Sequence, residues 1–312
     1  MASSLLIALV GPTAAGKSAL ALRLAVAHGG EIVSCDSLQV YPGFDIGSAK
    51  PTAEERRQVR HHLVDVADPR EPFSAADYAR LGREALASIR ERGRQPLVVG
   101  GTGLYLRALL RGLFAGPSRD EALRARLEGM AARYGERRLH RWLASVDPAS
   151  AARIEPADRV RVVRALEVFR KTGRPLSGHH EAGSEPLRGF DVRILGLAPS
   201  REDLRAAVEA RTRQMLAAGL VEETRGLIER YGAGLRPLQA IGYRQAAAVV
   251  AGTLGVDAAQ RDIVKETMHY AKRQMTWFRH QERVAWCSDA AEAERLATQW
   301  LGVRPGKRRT DS

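Results

Sequence analysis

The stretch "LIALVGPTAAGKSAL", residues 6–20, decides the fold. It reads as an apolar strand, a loop of small residues and the start of an amphipathic helix. Gly11, Gly16, Lys17 and Ser18 satisfy G-x-x-x-x-G-K-[ST], with the flanking strand and helix that this phosphate-loop motif requires. The expected binding loop is Gly11, Pro12, Thr13, Ala14, Ala15, Gly16, Lys17 and Ser18. Glycines let backbone N–H groups close around phosphate oxygens, and the helix N-terminus adds partial positive charge. Lys17 supplies a mobile full charge and the Ser18 hydroxyl can ligate Mg2+. A phosphorylated ligand is therefore expected.

Outward from this loop, apolar runs recur at 31–35, 96–100 and 190–199, and "RVAWCS" at 283–288 can supply a last strand. Helical patterns lie between them, at Leu20 to Val26 and Tyr78 to Ile89. Alternating strands and helices indicate βαβ units, so the expected class is α/β, a P-loop-containing three-layer core with a central parallel sheet. From Ser118 the text is Arg-rich and helical to about Gly173, then passes into a Gly- and Pro-marked loop, "TGRPLSGHHEAGSEP". The expected organisation is core at 1–117, an all-helical insertion domain at 118–189, core again at 190–303, and a disordered tail at 304–312.

The 312 residues suffice for two domains. Lys and Arg total 49 against 36 acidic residues, a net charge of +13 that favours a polyanionic partner. Only six of the 49 are Lys, however, so an Arg-rich composition accounts for part of the excess. Cys35 and Cys287 are too few for a disulfide framework or a zinc ligand set. With no secretory signal and no run near the ~20 apolar residues of a membrane helix, a cytoplasmic protein is expected.

Most P-loop NTPases have a further strand ending in an acidic residue that helps to hold the metal. Here the candidate strand ends in "PLVVGGTGLY", with glycines at that place. The nearest carboxylate is Asp36, in "SCDSLQVY" after the second strand. Carboxyl ends of parallel strands face the ligand crevice, so Asp36, Ser37 and Gln39 should project beside the loop. Asp36 there can be a general base, a metal ligand through water, or a helix N-cap.

Seven ordered segments, "GPTAAGKS", "DSLQVY", "RHHLVDV" with Asp68-Pro69, "GGTGLYLRAL", "DRVRVVRALEVFRKTGRPLS", "QAIGYRQ" and "YAKRQMTWFR", resemble those of the bacterial-type tRNA dimethylallyltransferases over roughly residues 5–285. That resemblance implies transfer of an isoprenyl group from dimethylallyl diphosphate to N6 of adenosine 37, beside the anticodon of tRNA. By the same resemblance the loop holds a diphosphate, with Mg2+ as the cofactor at Ser18. Asp36 becomes the base for N6, Thr13 touches the reacting centre, and Arg211 clamps the diphosphate. Asp36, Ser37, Leu38, Gln39, Thr102, Gln239 and the run Arg159, Val160, Arg161, Val162, Val163 match positions that contact the tRNA. Departures are small: Ser18 stands for Thr, and the zinc-finger extension of eukaryotic forms is lacking.

The last motif also has a reading of its own. Val264, Met268, Ala271, Met275 and Phe278 form an apolar stripe, beside a polar one of Lys265, His269, Lys272, Thr276, Arg279 and Arg283. Lacking acidic i+4 partners, Lys272 and Arg279, together with Arg273, are expected to face RNA phosphates. His61-His62 reads as structural, and His179-His180 lacks a convincing metal set. Trp142, Trp277, Trp286 and Trp300 read as packing residues. Three alternatives remain: a P-loop kinase that consumes ATP, an isopentenyltransferase acting on free adenine nucleotides, and an RNA-binding module with a vestigial loop. A monomer is expected, and ATP at the loop is left open.

Overall fold

The computed structural model describes residues 3–113, 116–117, 119–181 and 185–302, with the side chains of 180 and 181 set aside. Six strands, β1 (Ser4–Val10), β2 (Gly30–Cys35), β3 (His61–His62), β4 (Gln95–Gly100), β5 (Phe190–Leu197) and β6 (Ala285–Cys287), form one sheet of order β3-β2-β4-β1-β5-β6. All five pairings are parallel. The helices are α1 (Lys17–His28), α2 (Ala53–Gln58), α3 (Ala75–Glu91), α4 (Gly103–Arg111), α5 (Glu121–Tyr134), α6 (Glu136–Val146) and α7 (Pro148–Ala151). They continue as α8 (Arg159–Thr172), α9 (Leu176–Glu181), α10 (Arg201–Ala217), α11 (Leu220–Tyr231), α12 (Tyr243–Val250), α13 (Val256–Gln281) and α14 (Ala290–Gly302). None is long and apolar enough to cross a membrane.

β1 reads as one unbroken apolar run because both of its faces are covered. Ile7 and Leu9 pack with Leu20 and Leu24 of α1 and Ala293 and Ala297 of α14. Leu6, Ala8 and Val10 point the other way, toward Tyr78, Leu86 and Ile89 of α3, Leu106 of α4 and Phe278 of α13. Complete burial of each such Leu or Ile contributes about 1.5–3 kcal/mol. β4 lies between β1 and β2, so the loops leaving the carboxyl ends of these three neighbours, "GPTAAGKS", "GGTGLY" and "DSLQVY", share one edge of the sheet. A third apolar cluster, Val40, Phe44, Leu220, Leu227, Leu238 and Tyr243, extends the core beyond that edge.

The chain divides into two compact units, Met1–Leu110 with Leu187–Ser312, and Arg111–Pro186. The expected joints at 117/118 and 189/190 lie seven and three residues beyond these, and Ser118 and the tail at 304–312 lie outside the described residues. The second unit is built from α5 to α9 around Leu127, Leu139, Leu143, Val162, Val163 and Leu166. Part of the expected loop after Gly173 is helical, as α9. Its first turn is held from a distant residue: the Asp147 carboxylate accepts from the Ser177 N–H (3.0 Å) and hydroxyl (2.7 Å). His61 and His62 form the edge strand β3, where His62 Nε2 lies 2.6 Å from the buried Glu31 carboxylate.

Candidate active site

The loop after β1 carries its cation folded inward. Lys17 Nζ donates to the Pro12 carbonyl at 2.6 Å. Burial, then the nearby Arg211 guanidinium, pull its pKa down from 10.5 to about 8, and Asp36 opposes them only in part. Ser18 is exposed at the N-terminus of α1. Among the described residues no group of three or more His, Cys, Asp or Glu could hold a metal. The exposed Ser18 hydroxyl is the group that could hold a magnesium ion beside an anion in this loop.

The loop after β2 serves two ends. Asp36 Oδ1 accepts from the N–H groups of Leu38 (2.8 Å) and Gln39 (3.3 Å), so the carboxylate organises its own turn. It also lines a cavity of about 450 Å³ with Thr13, Ser37, Leu38 and Gln239. Gln39 lies beside the phosphate loop as expected, in the wall of the cavity that holds Lys17 and Ser18, but its amide is already engaged. Its Oε1 accepts from the Ser34 hydroxyl (2.8 Å), and its Nε2 donates to the carbonyls of Ser48 (3.3 Å) and Ala49 (3.1 Å). An amide committed in this way holds the loop, and contact with a nucleotide would have to displace those bonds.

The loop after β4 is shaped by α13. A Cβ on Gly101 would come within 2.0 Å of Gln274 Nε2, and one on Gly103 within 2.3 Å of the Trp277 ring. The glycines of "GGTGLY" are thus the notches that receive two side chains of "YAKRQMTWFR". Thr102 donates its N–H to the Cys35 carbonyl (3.2 Å) and accepts from Cys35 Sγ (3.5 Å). Burial pushes the Cys35 thiol up to about 12, which keeps it protonated and unreactive. Tyr270, which also lines the Asp36 cavity, is raised to about 12 by burial and then by the Asp36 charge.

Arg211, on α10, lines both this cavity and a second one of about 450 Å³ that contains Lys17, Ser18 and Gln214. Its Nη1 donates to Thr13 Oγ1 at 3.3 Å. Burial lowers its pKa and Asp36 counteracts that, though a guanidinium stays charged in either case. The arrangement can hold an anion among Lys17, Ser18 and Arg211, with a nucleophile entering from the Asp36 side. The outer wall of the Asp36 cavity is pinned by Glu223, whose carboxylate accepts from the N–H groups of Asp45 (3.2 Å), Ile46 (2.9 Å) and Gly47 (3.3 Å) and from the Tyr243 hydroxyl (2.6 Å).

Of the expected RNA-contacting residues, Arg273 and the exposed Gln239 line the Asp36 cavity, while Lys272 and Arg279 are exposed on α13. Thr102 is half-buried and does not line that cavity. In the helical unit Arg159, Val160 and Arg161 are exposed on α8, but Val162 and Val163 are each 1% exposed. Those two valine side chains fill the unit's core, so the expected RNA contact of this run would have to fall to its backbone and its exposed side chains. Gln274, Tyr270 and Glu223 were not singled out from sequence. The available signal was one polar residue, Gln274, on the buried face that also presents Ala271 and Phe278.

Residues 39–281 match the family model described as IPP transferase. The tRNA dimethylallyltransferase of Geobacter metallireducens is 49% identical over 95% of this chain and 96% of its own. The solved full-length tRNA isopentenylpyrophosphate transferase of Bacillus halodurans is 38% identical, with a TM-score of 0.69 over 96% of this chain and 97% of that one. A eukaryotic dimethylallyltransferase acting on tRNA gives a TM-score of 0.80 at 26% identity, over 98% of this chain and 82% of that one.

Proposed function

This chain belongs to the IPP transferase family, and from that membership we infer that it transfers a dimethylallyl group to tRNA. We further propose dimethylallyl diphosphate as the donor and N6 of adenosine 37 as the acceptor. In that step the N6–carbon bond forms as the allylic C–O bond breaks, and the electron pair leaves on pyrophosphate. The N6 proton passes to the Asp36 carboxylate, and because adenine N6 is a weak nucleophile, orientation contributes more than prior ionisation. Lys17 and Arg211 hold the charge that develops on the leaving group. Mg2+, held in part by Ser18, would neutralise part of the same charge when bound.

One observation carries this reading: Arg211 lines both the phosphate-loop cavity and the Asp36 cavity, with Thr13 hydrogen-bonded to it. A phosphorylated donor and a base brought out of its stack can therefore meet at one guanidinium. The tRNA is proposed to lie along Lys272, Arg273 and Arg279 and to touch Arg159, Val160 and Arg161 of the helical unit. A monomer working in the cytoplasm is the accompanying proposal.

The test is transfer of label from radiolabelled dimethylallyl diphosphate, with Mg2+, to unmodified tRNA bearing adenosine 37, run beside AMP and with and without ATP. Label in tRNA without ATP supports the reading. Label in AMP alone reassigns the acceptor, and consumption of ATP without prenyl transfer restores the kinase. Asp36→Ala is expected to abolish turnover while tRNA affinity persists; a large loss of affinity with normal single-turnover chemistry would refute the base assignment.

A further inference from the structure

We propose that Gln274 is a positioning residue for the transfer step, setting Lys17 through the Pro12–Thr13 peptide group and Arg211 through the Thr13 side chain that this group carries. The proposal rests on the reading above for its substrates. Gln274 is 6% exposed, on the buried face of α13. Its Oε1 accepts from the Thr13 N–H at 3.0 Å, and its Nε2 donates to the Gly101 carbonyl at 3.0 Å.

The Thr13 N–H belongs to the same peptide plane as the Pro12 carbonyl. There are no cis peptides among the described residues, and in a trans peptide the N–H and C=O point in opposite directions. Gln274 grips that plane from one side, so the Pro12 carbonyl is turned to the other, where Lys17 Nζ meets it at 2.6 Å. The same grip fixes the Thr13 backbone and with it the hydroxyl that accepts from Arg211 at 3.3 Å. Phosphate loops ordinarily aim their N–H groups at the anion. Here the Thr13 N–H is turned to α13, and the plane it belongs to supports Lys17 directly, through the Pro12 carbonyl, and Arg211 indirectly, through the Thr13 side chain.

Gln274→Met keeps length and volume but removes both bonds. Two readouts separate positioning from mere stability. In single-turnover transfer at saturating substrates, Gln274→Met should slow the step on the order of 10²-fold, the cost of misplacing reacting groups by about an ångström, with tRNA affinity within about twofold of the parent. Combined with Thr13→Val, which removes the hydroxyl that Arg211 uses, the two losses should be clearly less than multiplicative, because the Arg211 route is already broken. A lowered melting temperature with an unchanged rate, or strictly multiplicative losses, would overturn the proposal. Calorimetry with inorganic pyrophosphate gives an arm that needs no transfer. Pyrophosphate should bind Gln274→Met at least tenfold more weakly, and equal affinity would count against the proposal even were the tRNA reaction itself absent. Gln274→Leu, of similar volume, serves if the Met variant does not fold.

Discussion

Arg211 on α10 donates to the hydroxyl of Thr13, the third residue of the phosphate loop, although 198 positions separate them in the chain. A planar fork is suited to that place because it can meet a hydroxyl and a diphosphate oxygen at once. Arg211→Lys should keep the charge but lose the fork, and single-turnover transfer should fall by roughly tenfold. Arg211→Gln should lose on the order of 10²-fold or more, as removal of a transition-state charge stabiliser does. Equal rates for the Lys variant and the parent would reduce Arg211 to a point charge.

Lys272 tests the proposal that α13 carries an RNA-binding face. It is exposed and, among the described residues, forms no ion pair, which leaves its ammonium available to a phosphate. Lys272→Ala should weaken tRNA binding for all substrates alike and make the slope of log affinity against log salt shallower by about 1. An unchanged slope, measured by filter binding from 50 to 200 mM salt, would remove this residue from the interface.

β1, its loop and the apolar stripe of α13 were legible in the sequence because each is local: an unbroken apolar run, a fixed spacing of glycines, a helical period. Asp36 was legible for the same reason, following directly on a strand. The strand order was not, since nothing local says that β4 separates β1 from β2. β3 escaped because two residues make no pattern, and α9 because its Gly and Pro neighbours read as loop while its support comes from Asp147, 30 residues away. Gln39 and Gln274 show the same limit within the site. A side-chain amide announces neither partner, and only the folded chain shows that one holds Ser48 and Ala49 and the other Thr13 and Gly101.

Lys17 makes anion binding depend on pH. In the free protein its pKa is about 8 instead of 10.5, so its charge fades as pH rises through 8. A bound diphosphate favours the ammonium and raises that pKa, so binding takes up a proton above pH 8 and weakens by up to tenfold per pH unit there. Calorimetry of pyrophosphate binding at pH 8.5, in buffers of different ionisation enthalpy, should show the uptake in the parent and none in Lys17→Met. Between about pH 8 and 10.5 the unfolded chain holds this proton more tightly than the folded one, so stability without ligand rises with pH across that window. Lys17→Met should therefore melt higher than the parent at pH 7 while binding pyrophosphate more weakly.

Glu167 governs the helical unit by the opposite sign. Its carboxylate is 0% exposed and accepts from the Asp120 N–H (2.7 Å), Arg124 Nε (3.0 Å) and Nη2 (2.9 Å), and Arg164 Nη1 (2.6 Å). Burial alone would raise its pKa, but these donors outweigh burial and hold it at about 2, against an ordinary 4.5. A depressed carboxyl pKa contributes stability that is complete above 4.5 and is lost as pH falls from there toward 2. Glu167→Ala leaves Arg124 without its buried partner and should destabilise the unit by about 3–5 kcal/mol, read by urea unfolding of the full chain at pH 7. The penalty should shrink as pH approaches 2, where the parent's own carboxyl is half protonated and most of its stabilising contribution is gone. A penalty that stays constant down to that pH would show that Glu167 acts through packing and not through its charge.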